Sequence, residues 1–294
     1  MSGELGDFLR TRRSRVQPED VGLRAHGRRR VPGLRREEVA QLAGVSVDYY
    51  VRLEQGRGGS ASDAVLDAVA RVLRLDDVEH AHLRSLARPA NSASPSRTPS
   101  KQPLREGVRA LLESMTTPAF VLGRRMDVLA WNEAGDAVCA FSTRSRPDLN
   151  QARHAFLNPG ARAFYADWEA VTAETVAYLR LDAGRHPRDQ RLAELVGELT
   201  LASEDFARLW ADHEVREKTY GVKRMNHPEV GALHLAYETL CFPGEPDQLL
   251  VAYTAAPGSP SAEKLTLLSS WQATSRPARV TLPVPQPSSD GQNP

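Results

Sequence analysis

RREEVAQLAGVSVDYYVRLEQG, Arg35 to Gly56, spells two short helices joined by a tight turn. Val39, Leu42 and Ala43 recur at i, i+3 and i+4 and predict one apolar helical face. Gly44 ends that helix; it suits a left-handed position, where a side chain would cost about 1 kcal/mol. Val45 is expected as a buried plug between the helices, and Ser46 as the N-cap of the next one. Tyr50 and Leu53 then face inward, which leaves Val47, Asp48, Val51 and Arg52 on other faces. Ala40 is small, as it must be where two helices cross closely. An ordinary hairpin inside a core would share the apolar spacing. The offsets of Ala40, Gly44, Val45 and Leu53, with basic residues around them, favour a helix-turn-helix that reads DNA.

Charge supports that choice. The chain of 294 residues has a net charge of +1, but it is unevenly spread. Residues 1–103 hold 18 Lys and Arg against 13 Asp and Glu, and residues 104–294 hold 20 against 24. From Arg10 to Arg36 there are ten arginines and only two acids, Glu19 and Asp20. A positive field gathered beside such a motif is what a polyanion partner requires. Without a partner it is a solvated basic face.

The segment resembles the helix-turn-helix of the phage-repressor and Cro-like (XRE) family, whose second helix lies in the major groove while the first crosses the backbone. The resemblance implies that Ser46, Val47, Asp48, Tyr49, Val51 and Arg52 stand at or near the groove, and that Arg35 and Arg36 approach phosphate. Arg52 can take guanine in a bidentate contact; the competing reading pairs it with Asp48 one turn back. Tyr49 reaches phosphate or packs. Leu5, Phe8 and Leu9 make a first helix. Gln17 to Gly33, rich in Gly and Pro, reads as a long loop in which Arg28, Arg29 and Arg30 track phosphate or enter a minor groove. Helices around Val65 to Leu73 and from Asp76 to Arg88 complete an all-α five-helix domain over residues 1–88. PANSASPSRTPSKQP, residues 89–103, has the composition of a linker.

The remainder reads as α+β. Residues 104–115 form an amphipathic helix. Thr117 to Leu122 and Met126 to Trp131, split by GRR, form a hairpin, and Asn132 caps a short helix after it. Helical spacing follows at Phe164, Trp168 and Val171, at Leu192 to Leu199, and from Ser203 to about His213. Strand spacing returns at Thr219 to Met225, Leu233 to Cys241 and Gln248 to Thr254. Two strands before the helices and three after give an antiparallel sheet of about five strands, in the order of a PAS-like domain over residues 104–275. Residues 276–294 read as a disordered tail.

The strings TPAFVLGRRMDVLAWN, FLNP, ADWEAV, RLAELVGEL, KRMNHPEVGALHLAYETL and YTAAPGSPSAEKLTLL resemble the ligand-binding domain of the MmyB-like transcription regulators, with a divergent patch around Ser142 to Ala155. That family joins an XRE helix-turn-helix to a PAS-like domain. The resemblance implies a homodimer on a two-fold operator in double-stranded DNA, and a small apolar, fatty-acid-like ligand. Phe120, Leu122, Trp131, Phe164, Trp168, Trp210, Leu235, Tyr237 and Tyr253 are the residues that would line its pocket; most of them serve as core, and the hydroxyls of Tyr237 and Tyr253 are suited to orient a polar head. Arg216 and Arg224 are further partners for a carboxylate.

Other classes fit less well. No Ser-His-Asp order, HExxH, CxxC or glycine-rich phosphate loop occurs, so no catalytic site, metal or cofactor is expected. His234 and Glu238 share one strand face, the pattern of a polar sheet surface. Cys139 and Cys241 match no metal spacing and point to a reducing cytoplasm. No apolar run is long enough for a membrane span. The rival from another class is a helix-turn-helix protein whose second domain serves only to dimerise or dock.

Overall fold

The computed structural model describes residues 2–23, 32–57, 61–87 and 104–275. The basic run Arg28, Arg29 and Arg30, the linker 89–103 and the tail 276–294 lie outside the described residues.

The first part is helical. α1 (Ser2–Arg15) is followed by a 3₁₀ turn at Pro18–Val21, then α2 (Arg36–Ala43), α3 (Val47–Glu54), α4 (Asp63–Val72) and α5 (Asp77–Ala87). Phe8, Leu9, Leu34, Val39, Tyr50, Val69 and Leu83 are fully buried between them. One inward residue is other than expected: Leu42 is 38 % exposed, while Val39 and Ala40 are buried. Two positions along a helix turn the side chain by about 200°. Once Ala40 is pressed into the core, Leu42 must look outward. Val45 is half-buried at the margin of the core rather than a fully enclosed plug.

The second part begins with α6 (Glu106–Ser114), β1 (Ala119–Gly123), β2 (Val128–Trp131) and α7 (Glu133–Cys139). A helical run follows: α8 (Gln151–Leu157), α9 (Ala161–Phe164), α10 (Trp168–Arg185), α11 (Gln190–Ala202) and α12 (Glu204–Ala211). Then come β3 (Tyr220–His227), β4 (Gly231–Phe242), β5 (Glu245–Thr254) and α13 (Pro260–Ser275). The sheet has the order β2-β1-β5-β4-β3, and every pair is antiparallel. The chain is thus a helical helix-turn-helix region followed by an α+β domain with a five-stranded antiparallel sheet.

Alternation along the strands decides which side chains fill which layer. Phe120, Leu122, Leu235, Tyr237, Val251 and Tyr253 point to the helical layer and form one core with residues of α7 to α12. Val121, Ala119, Ala130 and Leu250 point the other way and are covered by Val108 and Leu112 of α6. Asn132 does more than cap: its Oδ1 accepts from Gly135 N at 2.8 Å and Ala119 N at 2.9 Å, while its Nδ2 donates to Thr117 O at 2.7 Å. It therefore locks α7 to the hairpin. In the GRR turn both arginines are buried, held by Asp189 at the N-terminus of α11.

Candidate functional site

The reading unit is built from local turn chemistry. Gly44 adopts φ 68° and ψ 31°, a left-handed cap that a side chain would strain. Ser46 Oγ accepts from Tyr49 N at 3.1 Å and starts α3. At the start of α2, Arg35 N donates to Glu38 Oε2 at 2.7 Å. With Tyr50 and Leu53 buried, the opposite side of α3 is left to solvent. Val47 is 40 % exposed, Asp48 and Arg52 are exposed, and Tyr49 and Val51 are half-buried. Asp48 and Arg52 form no ion pair with each other. Arg35, Arg52 and Arg57 are exposed, and none of the three has a carboxylate partner among the described residues.

α3 is held by a residue that periodicity did not single out. Glu54, at its last turn, has a wholly buried side chain. Its carboxylate accepts from Arg13 Nη2 of α1 at 2.9 Å and from Arg36 Nε of α2 at 2.7 Å. Arg13 also donates to Leu34 O at 2.7 Å. The Arg36 guanidinium is pushed up in pKa by its hydrogen bond to Glu54 and by the carboxylate's charge. The available signal was that Glu54 lies four residues after buried Tyr50, on the same face.

In the α+β domain an open cleft of about 720 Å³ lies between α7, α8, α9 and the far end of β3. Val138, Ala140, Ala163, Phe164 and Pro228 give it apolar walls; Arg144, His154 and His227 stand among them. Arg144 is half-buried, and its Nη1 donates to Gln151 Oε1 at 3.4 Å while its guanidinium lies 4.9 Å from the Phe141 ring centre. Among the described residues no carboxylate pairs with it. His154 Nδ1 is buried without a hydrogen-bond partner. Burial, and then the Arg144 charge, push that imidazole down to about 4, so it is neutral at pH 7. His227 Nε2 lies 2.9 Å from Ala137 O, and its Nδ1 accepts from Glu229 N at 3.3 Å, so backbone groups engage both ring nitrogens. Burial pushes the Cys139 thiol up to about 12, which leaves it unreactive.

Of the residues expected to line a pocket, Phe164 stands in this cleft. Tyr237, Tyr253 and Trp210 stand in three other cavities, of about 270, 390 and 500 Å³. Phe120, Leu122, Trp168 and Leu235 are core, and Trp131 is half-buried against it. Arg224 is paired with Asp167, whereas Arg216 has no ion partner among the described residues. Arg144 and His154 come from the 142–155 patch.

The helical part rests on the α+β part. Leu181 of α10 and Val215 belong to the helical core. Arg12 of α1 pairs with Glu79 at 2.8 Å and donates to His213 O at 3.0 Å; with Arg15 it also grips Glu214. Ser85 Oγ donates to Gly184 O at 2.7 Å. A Cβ on Gly184 would come within 2.4 Å of the His82 ring, so only glycine permits this approach. Burial, and then the Arg180 and Arg12 charges, push His82 down to about 3; burial and Arg180 push His213 down to about 4.

Among the described residues no group of three or more His, Cys, Asp or Glu is placed to hold a metal ion, and no helix is long and apolar enough to cross a membrane. Both cysteines are free, Cys139 buried and Cys241 exposed. No curated protein matches the chain. Residues 4–83 match the family described as helix-turn-helix domain. Residues 104–268, more than half of the chain, match the MmyB-like transcription regulator ligand binding domain. With its helix-turn-helix in front of that domain, the chain belongs to the MmyB-like family of DNA-binding transcription regulators.

Proposed function

We propose that the protein binds a two-fold operator as a homodimer and responds to a small apolar ligand with an anionic head, held in the cleft between α7, α8, α9 and β3. Residues 1–88 act as the DNA-binding domain, 89–103 as a linker and 104–275 as a PAS-like sensor, a reading the strand order supports. The single observation that carries the ligand assignment is Arg144, a cation in the lining of an apolar cleft of about 720 Å³ that has no carboxylate partner among the described residues. That volume suits a ligand of drug or lipid-tail size. The guanidinium would take the head as a charge-assisted pair, and Phe164 and Val138 would take the tail.

On DNA, Val47, Asp48, Val51 and Arg52 face the major groove, with Ser46 and Tyr49 beside the backbone. Arg35 and Arg36, with Arg28, Arg29 and Arg30, supply phosphate contacts. A ligand changes DNA affinity only through different affinities for the two protein states. The reading places the protein in the cytoplasm, with no catalytic role and no cofactor. Native mass spectrometry of the purified chain, followed by thermal titration with a series of saturated fatty acids, tests the sensor. A bound apolar molecule and a chain-length optimum are expected. If neither stability nor DNA affinity moves with any ligand, the second domain serves only to dimerise or dock.

A further inference from the structure

A separate cavity of about 270 Å³ opens between α10 and the segment leading into β3; Glu174, Thr175, Arg216, Lys218 and Tyr237 are among the residues around it. It lies at the Tyr220 end of β3, and the apolar cleft lies at the His227 end. Its charges do not balance. Glu174 is already engaged by Lys223 and accepts from the Tyr237 hydroxyl at 3.4 Å. Glu217 is paired with Arg185 at 2.6 Å. Among the described residues Lys218 has no carboxylate in ion-pair reach: its Nζ rests 4.7 Å from the Tyr237 ring centre, and Lys223 Nζ lies 5.0 Å from the same ring. Arg216 is exposed, and its backbone N donates to Ala177 O at 3.4 Å.

Among the described residues neither cation has a carboxylate within ion-pair distance, although the Glu174 charge reaches Lys218 across the cavity. Burial, and then repulsion from Lys223, push the Lys218 ammonium down to about 8. A cation in that position gains from any anion that enters. Tyr237 gives the ammonium a π face but no neutralising charge.

We infer that this cavity is a site for a compact oxyanion, a phosphate or carboxylate group on a small metabolite, with Lys218 as the inner cation and Arg216 as the outer clamp. An ammonium supplies a point charge and a guanidinium a bidentate edge, so the pair can close on an oxyanion from two sides. Glu174, in the wall, disfavours large polyanions and limits occupancy to a small one. The site also adjoins the junction. Glu214 and Val215, which hold the helical part, immediately precede Arg216. An anion bridging Arg216 and Lys218 would stiffen the segment from which that grip is made.

Calorimetric titration of the full chain at pH 7 and constant ionic strength, with inorganic phosphate and separately with succinate, tests the inference. Saturable binding of at least one of them, at one site per chain, is expected. Lys218→Met should weaken it about tenfold or more, the scale of one hydrogen bond to a charged group; exposed Arg216→Gln should weaken it less, and Arg109→Gln on α6 not at all. Phosphate alone binding identifies a phosphate ester as the class, and succinate alone a carboxylate. If neither anion saturates, or if Lys218→Met and Arg216→Gln both bind as tightly as the parent, the site does not exist.

Discussion

Arg36 Nε donates to Glu54 Oε2 at 2.7 Å, fastening the first helix of the reading unit to the last residue of the second. The carboxylate is fully buried and is shared with Arg13 of α1, so removing it strands a buried guanidinium. Breaking a buried pair costs about 3–5 kcal/mol. Glu54→Ala should therefore lower the unfolding free energy of the helical part by about that cost, read as a lower urea midpoint, and weaken binding to every DNA sequence alike. An unchanged midpoint would show that the network contributes no stability.

Arg36 meets Glu54 through Nε, on a side chain 42 % exposed. Arg36→Ala should lower affinity for specific and random DNA together, and reduce the slope of log K against log salt by about one unit. A salt slope equal to the parent's would take Arg36 out of the phosphate contacts.

Arg52 should behave differently. It is exposed and unpaired on the outer side of α3, next to Asp48. Arg52→Ala should relax preference at one base pair, at a cost of about 1–3 kcal/mol. Equal losses on operator and random DNA would remove it from base reading.

Acid should loosen the junction. His82 and His213 are held neutral in the folded chain, at about 3 and about 4, against about 6.5 when unfolded. Below about pH 6.5 the unfolded chain takes up protons that the folded chain refuses. Stability is thus complete above that pH and falls as pH drops toward 4. His82→Phe preserves an aromatic ring against Phe8, now 5.2 Å away, and should flatten the fall in urea midpoint between pH 7 and 5. A parent midpoint that does not change over this range would exclude buried neutral histidines here.

In the cleft, Arg144→Ala should lower affinity for a fatty acid by about tenfold, the scale of one charge-assisted pair. It should leave affinity for the corresponding primary alcohol nearly unchanged. Equal losses for acid and alcohol would mean that Arg144 acts through packing on Phe141 rather than through charge.

What could be read from the sequence was mostly local. Gly44 and Ser46 fix the turn within a few residues of themselves, and strand alternation in β4 and β5 sorts side chains without help from elsewhere. The spacing from Tyr50 put Glu54 on the inward face, but its ion pair was not legible, because its partner Arg13 is 41 positions away. The cleft escaped for a similar reason. It is made from helix ends and connections around residues 138–160 and the end of β3, where small and polar residues follow no period. The large aromatics that drew attention mostly fill the space between sheet and helices. α13 was missed because Pro260, Ser261 and three further serines dilute its apolar spacing. Gly184 did carry a signal: a glycine inside a helix costs about 1 kcal/mol relative to alanine, and here it marks the close approach of His82.

Arg12 and Arg13 are neighbours on one helix and belong to different machines. Arg12 reaches Glu79, His213 and Glu214 at the junction, and Arg13 reaches Glu54 beneath the recognition helix. Successive residues leave a helix about 100° apart, so α1 is keyed on two sides at once. Deleting Arg10 or Thr11 would rotate the Leu5, Phe8 and Leu9 stripe by about 100° against both keys, and no single roll of the helix could restore all three. The phase of α1, more than its length or composition, is what this chain can least tolerate losing.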